Sequence, residues 1–355
     1  MNRSKWVTRL AIGLAALVAL IAAIEPASAA VPDRKGWVLW NQGVAATVGY
    51  GTLPAATTVT PLAPAGRYQI TFPGQAAPGG IVHVTAINNS PHWCQAEQWF
   101  PSGADEIAII RCYKIGGVLD PTSFSAFFTR ASGLPAPGPY GYVDSQASGV
   151  IVSQYNSSGG VNTSTPGLPG QWSVRFPGII TGGPLDGGLQ ATAVNTATGA
   201  RCKVASWVST ATSEVVQVHC FDSFGMPLNT RFTLTYQHRV SLYGASLPPK
   251  NHGYFLNQPP PGPPTTNFNS VLGFNFNTIM PAGVGLSLIT FPRIGFAQNT
   301  VQVTAYGASS DFCGLNTFWI NTGSGPDTIV RDVNCFTSAG APINSGFLVT
   351  SSSIL

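Results

Sequence analysis

Apolar and polar residues alternate in short runs along this chain. Val82, Val84 and Ala86 share one face of such a run and His83 and Thr85 the other, and a period of two predicts a β-strand. The pattern returns at Leu189, Ala191 and Ala193 around Gln190 and Thr192, and at Val301, Val303 and Ala305 around Gln302 and Thr304. The expectation is one face on a core and one polar face at the surface. A second alternation, Ala108-Ile110-Cys112 against Val216-Val218-Cys220, turns the cysteines inward with the core.

These runs belong to a longer repeat. GWVLWNQ from Gly36 returns as GYVDSQ from Gly141 and GYFLNQ from Gly253, and YQITFPG from Tyr68 returns as WSVRFPG from Trp172 and SLITFPR from Ser287. Cys94, Cys202 and Cys313 are each followed by a tryptophan, Trp99, Trp207 or Trp319. Cys112, Cys220 and Cys335 are each followed by an aromatic residue (Tyr113, Phe221, Phe336), then by Gly117, Gly225 or Gly340 and by Phe124, Phe232 or Phe347 at fixed offsets. Self-similarity at about a hundred residues predicts three copies of one supersecondary unit. Pro-rich connectors at 133–137 and 247–249 separate them, and a further Pro run at 259–264 makes the third copy the most altered.

About seven short strands are expected per copy, near Trp37, Val48, Ile70 and Val82, across Cys94 to Trp99, across Ile107 to Tyr113, and at Phe124 to Phe128. The fold class is therefore all-β, three tandem β-sandwich modules over 30–131, 132–245 and 246–355. Composition agrees. Charged residues are only 8% of the 355, against 40 Gly and 29 Pro, which suits strands and turns better than charged amphipathic helices. An apolar content of 44% is enough to build a core.

At the N-terminus, Arg3, Lys5 and Arg9 precede an apolar run from Leu10 to Ile24 and the small-residue exit Ala27-Ser28-Ala29. This predicts a cleaved secretory signal over 1–29 and a secreted or extracellular chain, with no transmembrane segment after it. Without those residues the chain carries 14 basic and 12 acidic side chains, which is no nucleic-acid footprint. Six cysteines in an exported chain predict disulfides, and the repeat selects Cys94 with Cys112, Cys202 with Cys220, and Cys313 with Cys335. Each closes a loop worth about 3 kcal/mol of chain entropy. Two cysteines per copy, without repeated histidines, leave a zinc ion short of ligands, so neither metal nor cofactor is expected.

Chemistry does not repeat with the scaffold. Arg111, His219 and Asn334 precede the second cysteines, so charge changes identity where the skeleton stays fixed. Glu97, Asp105 and Glu106 form a carboxylate cluster in copy one that reads as solvated loop charge, with no equivalents expected in the other copies. His219 stands beside Cys220, but a thiol in a disulfide is no nucleophile. No catalytic residue is assigned. Trp37, Trp40, Tyr142, Tyr254, Trp99, Trp207 and Trp319 read as core, whereas Trp93, between His92 and Cys94, is expected at the surface and free to meet a ligand. Sequons at Asn88, Asn156 and Asn162 are expected by chance in a chain so rich in Asn, Ser and Thr.

The run Tyr68 to Gly74, then Val82 to Ala86, Cys94, Trp99, Cys112, Gly117 and Phe124, resembles a repeat of uncharacterised secreted tandem-repeat proteins of high-GC bacteria. Resemblance covers nearly the whole chain after the signal and departs at Arg293, where the FPG motif loses its glycine. It implies export and the repeat, and brings no activity. The expected function is a non-catalytic extracellular or envelope-associated protein that binds a glycan or protein or serves a structural role. A carbohydrate-binding protein and a single-module hydrolase are the alternatives.

Overall fold

A computed structural model describes residues 33–355 apart from 44–45, 52–55, 132–137, 184, 244–250, 259–265, 297–298, 323–325 and 354–355. The expected signal segment and the three Pro runs lie outside the described residues. Among the described residues every regular element is a strand, and each copy contributes two four-stranded halves that face each other as a sandwich.

The first half is built on the opening strand (Arg34–Asn41, Tyr140–Ser145, His252–Asn257) and its hairpin partner (Ala46–Gly51, Ile151–Asn156, Thr266–Asn269). The opening strand pairs with the closing strand (Ser123–Arg130, Arg231–Gln237, Gly346–Ser353), which pairs with the middle strand (Ile81–Ile87, Gly188–Val194, Asn299–Tyr306). The second half runs from the FPG strand (Arg67–Phe72, Gln171–Pro177, Leu286–Phe291) to the second-cysteine strand (Asp105–Lys114, Ser213–Asp222, Thr328–Phe336). The first-cysteine strand (His92–Ser102, Ala200–Ser209, Phe312–Leu315) follows. Disulfides join directly opposed residues of the last two strands, Cys94 to Cys112, Cys202 to Cys220 and Cys313 to Cys335.

Between the halves, the FPG phenylalanines Phe72, Phe176 and Phe291 are wholly buried, each worth about 1.5–3 kcal/mol of transfer free energy. Their rings explain the glycine that opens GWVLWNQ, GYVDSQ and GYFLNQ. A Cβ on Gly36, Gly141 or Gly253 would lie 2.5, 2.6 or 2.8 Å from the ring of Phe72, Phe176 or Phe291. The repeated Phe124, Phe232 and Phe347 are buried in the same cores.

Each copy also has an outer strand that alternation did not signal: Thr58–Leu62, Thr163–Pro166 and Thr278–Gly283. These strands are largely exposed and bear no apolar stripe. Their prolines are equivalent, Pro61 opposite Tyr68, Pro166 opposite Trp172 and Pro281 opposite Ser287. Pro on an edge removes a donor that would otherwise recruit another strand.

The sandwiches are not separate beads. Each of the three nine-stranded sheets crosses a module border. The middle strand of each copy pairs in parallel with the first-cysteine strand of the preceding copy, at Val194 with Ala96 and at Tyr306 with Val204. Ile87 with Leu315 closes the circle from copy one to copy three. Equivalent backbone bonds seal the joints: Asn195 N to Ala96 O at 3.0 Å, Gly307 N to Val204 O at 3.0 Å, and Asn88 N to Leu315 O at 2.8 Å. The three copies therefore stand around a pseudo-threefold axis.

This arrangement overturns the expected polar surface. His83, Thr85, Gln190, Thr192, Gln302 and Thr304 are all buried, because the second face of each middle strand looks inward at the other two. Side chains more than a hundred residues apart satisfy one another there. His83 bonds Thr192 Oγ1 at 2.9 Å and Thr235 Oγ1 at 2.8 Å; Thr85 Oγ1 donates to Gln302 Oε1 at 2.9 Å. Gln302 Nε2 donates to Ser125 Oγ at 3.0 Å, and Gln190 Nε2 donates to Gln302 O at 3.3 Å.

Candidate functional site

Along the axis the filling changes. At one end the segment after the closing strand of the second copy packs inward, with Leu242 and Tyr243 against Trp37 and Phe127, and Val240 against Ile81, Tyr140 and Tyr142. The polar layers of His83 and Thr85 follow. Beyond them lies a cavity of about 50 Å³ lined by equivalent residues of all three copies, among them Thr85, Thr192 and Thr304. The three second-cysteine turns stand at this end of the axis. Gly117, Gly225 and Gly340 hold positive φ there, and a Cβ on each would meet Ser223, Ser338 and Ile115 of the next copy within 2.5, 2.6 and 2.9 Å. The fixed glycine thus serves both the turn and the close approach of the modules.

The residues preceding the first cysteines, Trp93, Arg201 and Phe312, meet at the cavity wall. Trp93 is buried, which corrects its expected place at the surface: it stacks on Tyr113 at 5.6 Å and meets Phe312 edge-on. The Arg201 guanidinium lies between two rings, 4.8 Å from Trp93 and 4.5 Å from Phe312. Burial lowers its pKa to about 10, so it is charged at neutral pH. Beside it Lys203 Nζ donates to Asp311 Oδ1 at 2.8 Å, a buried ion pair between copies two and three, and burial lowers the lysine pKa. The equivalent position in copy one is Gln95, whose amide bonds Asn195 O, Thr198 O and Ala200 N of copy two.

The carboxylates of copy one are structural, and two of them are not solvated. Glu97 is buried at a strand irregularity and accepts from Arg67 at 2.7 Å and Arg111 at 2.6 Å. Burial would raise its pKa, but these hydrogen bonds hold it below the usual range. Asp105 Oδ1 accepts from Gly74 N at 2.9 Å. Glu106 is buried, its Oε2 accepts from Ala77 N, and burial pushes its pKa up to about 7. It does have an equivalent: Glu106 pairs with Phe72 and Glu214 with Phe176, and burial pushes Glu214 up to about 8. Both stand six residues before the second cysteine, an offset visible in the sequence.

The remaining sequence candidates are also engaged. Trp37, Trp40, Tyr142, Tyr254, Trp207 and Trp319 are buried, and Trp99 is half-buried under Arg231, whose Cζ lies 4.6 Å from its ring. His219 Nδ1 lies 3.4 Å from Ala308 O. Asn88, Asn156 and Asn162 hold turns and neighbouring carbonyls with their side chains. Among the described residues, no helix is long and apolar enough to cross a membrane.

Several apolar side chains are exposed on and beside the ring of turns. Phe224 and Met226 flank Gly225 and are 70% and 63% exposed, and Val118, Leu168 and Val284 on adjoining turns are exposed as well. No protein-family model, curated protein or solved structure matches the chain.

Proposed function

We propose that this chain is a secreted, non-catalytic extracellular or envelope-associated protein, of the kind the repeat resemblance implies, whose three modules act as one binding head. The observation behind this reading is the division of labour between positions. Positions the copies share are spent on the cores, joints and turns, and among those where they differ two sets reach solvent at the turn end: Gly116, Phe224 and Ala339 follow the second cysteines at one offset, Val118, Met226 and Ala341 at another. Three disulfides suit an oxidising compartment. Phe224 and Met226 offer apolar area without hydrogen-bonding handles, which suits a protein surface better than a sugar. The Trp and Tyr side chains that motivated a carbohydrate reading are mostly buried.

The test is saturable binding of the labelled mature protein to envelope fractions of the producing cells. The reading expects binding that protease treatment of the fraction abolishes, and that Phe224→Ser with Met226→Ser weakens at least about tenfold, while Phe100→Ser, at an exposed phenylalanine of the strand His92–Ser102, does not. Absence of saturable binding, binding that survives protease but not glycan hydrolysis, or turnover in a broad substrate screen would overturn it.

A further inference from the structure

The cavity on the axis has an unbalanced lining. Lys203 and Asp311 neutralise each other, and Arg201 makes no salt bridge among the described residues, although the charges of Asp222, outside the lining, and Asp311 act on it. Its Nη2 donates to Asp222 O at 3.0 Å, but Nε and Nη1 are buried without an acceptor among the described residues, and so is Nε1 of Trp93. Arg201 is 7% exposed and lines the cavity with Trp93. Three donors withdrawn from water, and one net positive charge among the lining residues, leave an acceptor missing. A buried unsatisfied donor costs about 1–3 kcal/mol, more when charged, and the two rings against the guanidinium supply only the faces of its charge.

We propose that the axial cavity is a binding site for one small monovalent anion, a halide or a carboxylate of formate or acetate size, held by Arg201 and Trp93. Room for it exists: roughly 10–15 Å³ admits a water, and the cavity has about 50 Å³. The hydroxyls of Thr85, Thr192 and Thr304 line the same space and rotate to donate or accept. The site exists only in the closed ring, because Trp93, Arg201 and Phe312 come from three different copies. An anion there ties together the ends of the three first-cysteine strands, independently of what the turn surface binds.

Two measurements decide it. In crystals of the mature protein soaked in sodium bromide, anomalous diffraction is expected to place a bromide in the cavity within contact of Arg201, and soaking with formate is expected to displace it. Replacing sodium gluconate by sodium bromide at constant ionic strength is expected to raise the thermal midpoint saturably by about 2–4 °C, a rise that Arg201→Met abolishes. A cavity holding only water, or an equal bromide response in the Arg201→Met protein, overturns the proposal. Should that variant fail to fold, the anomalous map decides alone.

Discussion

Arg293 stands where the other copies have the glycine of FPG, and it keeps the glycine's conformation, φ 61° against 68° at Gly74 and 75° at Gly178. Its N–H donates to Asp327 Oδ1 at 2.9 Å, as Gly74 N does to Asp105. A side chain in the left-handed region costs about 1–2 kcal/mol, so Arg293→Gly is expected to stabilise the protein by about 1 kcal/mol in urea unfolding. His83 sets an acid limit. Burial lowers its pKa from 6.5 to about 3, so the unfolded chain takes up a proton that the folded one refuses. Its contribution is complete above pH 6.5 and falls by about 1.4 kcal/mol per unit as pH drops toward 3. His83→Gln, the residue carried at Gln190 and Gln302, is expected to fold and to lose this slope. Glu214 acts in the opposite sense. With a folded pKa near 8 against 4.5, its contribution is complete below pH 4.5 and declines as pH rises toward 8. Glu214→Gln should therefore raise the urea midpoint at pH 8 and leave it little changed at pH 4.

At the scale of the strand, alternation and the cysteine register made the seven expected strands and the pairing of the cysteines legible, because a sandwich core imposes a period of two. The same alternation could not say what the second face of the middle strand meets. Gln and Thr read identically whether water or a partner module satisfies them, and those partners lie beyond any local window. Trp93 was misplaced for a related reason: its neighbours Phe312 and Arg201 come from other copies. The outer strands were missed because an exposed edge needs no apolar stripe, although the repeated Pro61, Pro166 and Pro281 marked them. The opening glycine was visible as a repeat, but its cause, the ring across the sandwich, was not. Gly141→Ala is expected to destabilise by about 1–3 kcal/mol through contact with Phe176, whereas alanine at Gly159, whose Cβ would meet nothing, is expected to cost only its positive-φ strain. Equilibrium unfolding of the two variants separates the effects.

For the whole molecule, closure is what completes each module. A module cut out at its connectors would expose a middle-strand edge, a first-cysteine edge and a polar face built to be buried. Module two alone, residues 132–245, is expected to associate or to remain unfolded, while the intact chain unfolds in one cooperative transition. Light scattering and calorimetry check both, and a stable monodisperse monomer of the single module would contradict the closed-ring account.

The joint between Ile87 and Leu315 has a consequence for the order of the chain. Tyr243 receives the Lys35 ammonium 5.6 Å above its ring and donates its hydroxyl to Ser352 O at 3.4 Å, so the first and last strands converge on one side chain. A closed circle of equivalents has no necessary starting point. A circular permutant opened between 131 and 138, with Ser353 tethered to Asp33 by a short flexible linker, should rebuild all three joints and melt within a few degrees of the parent. Covalent order, on this view, is a convenience of synthesis, and what specifies the molecule is which edge meets which.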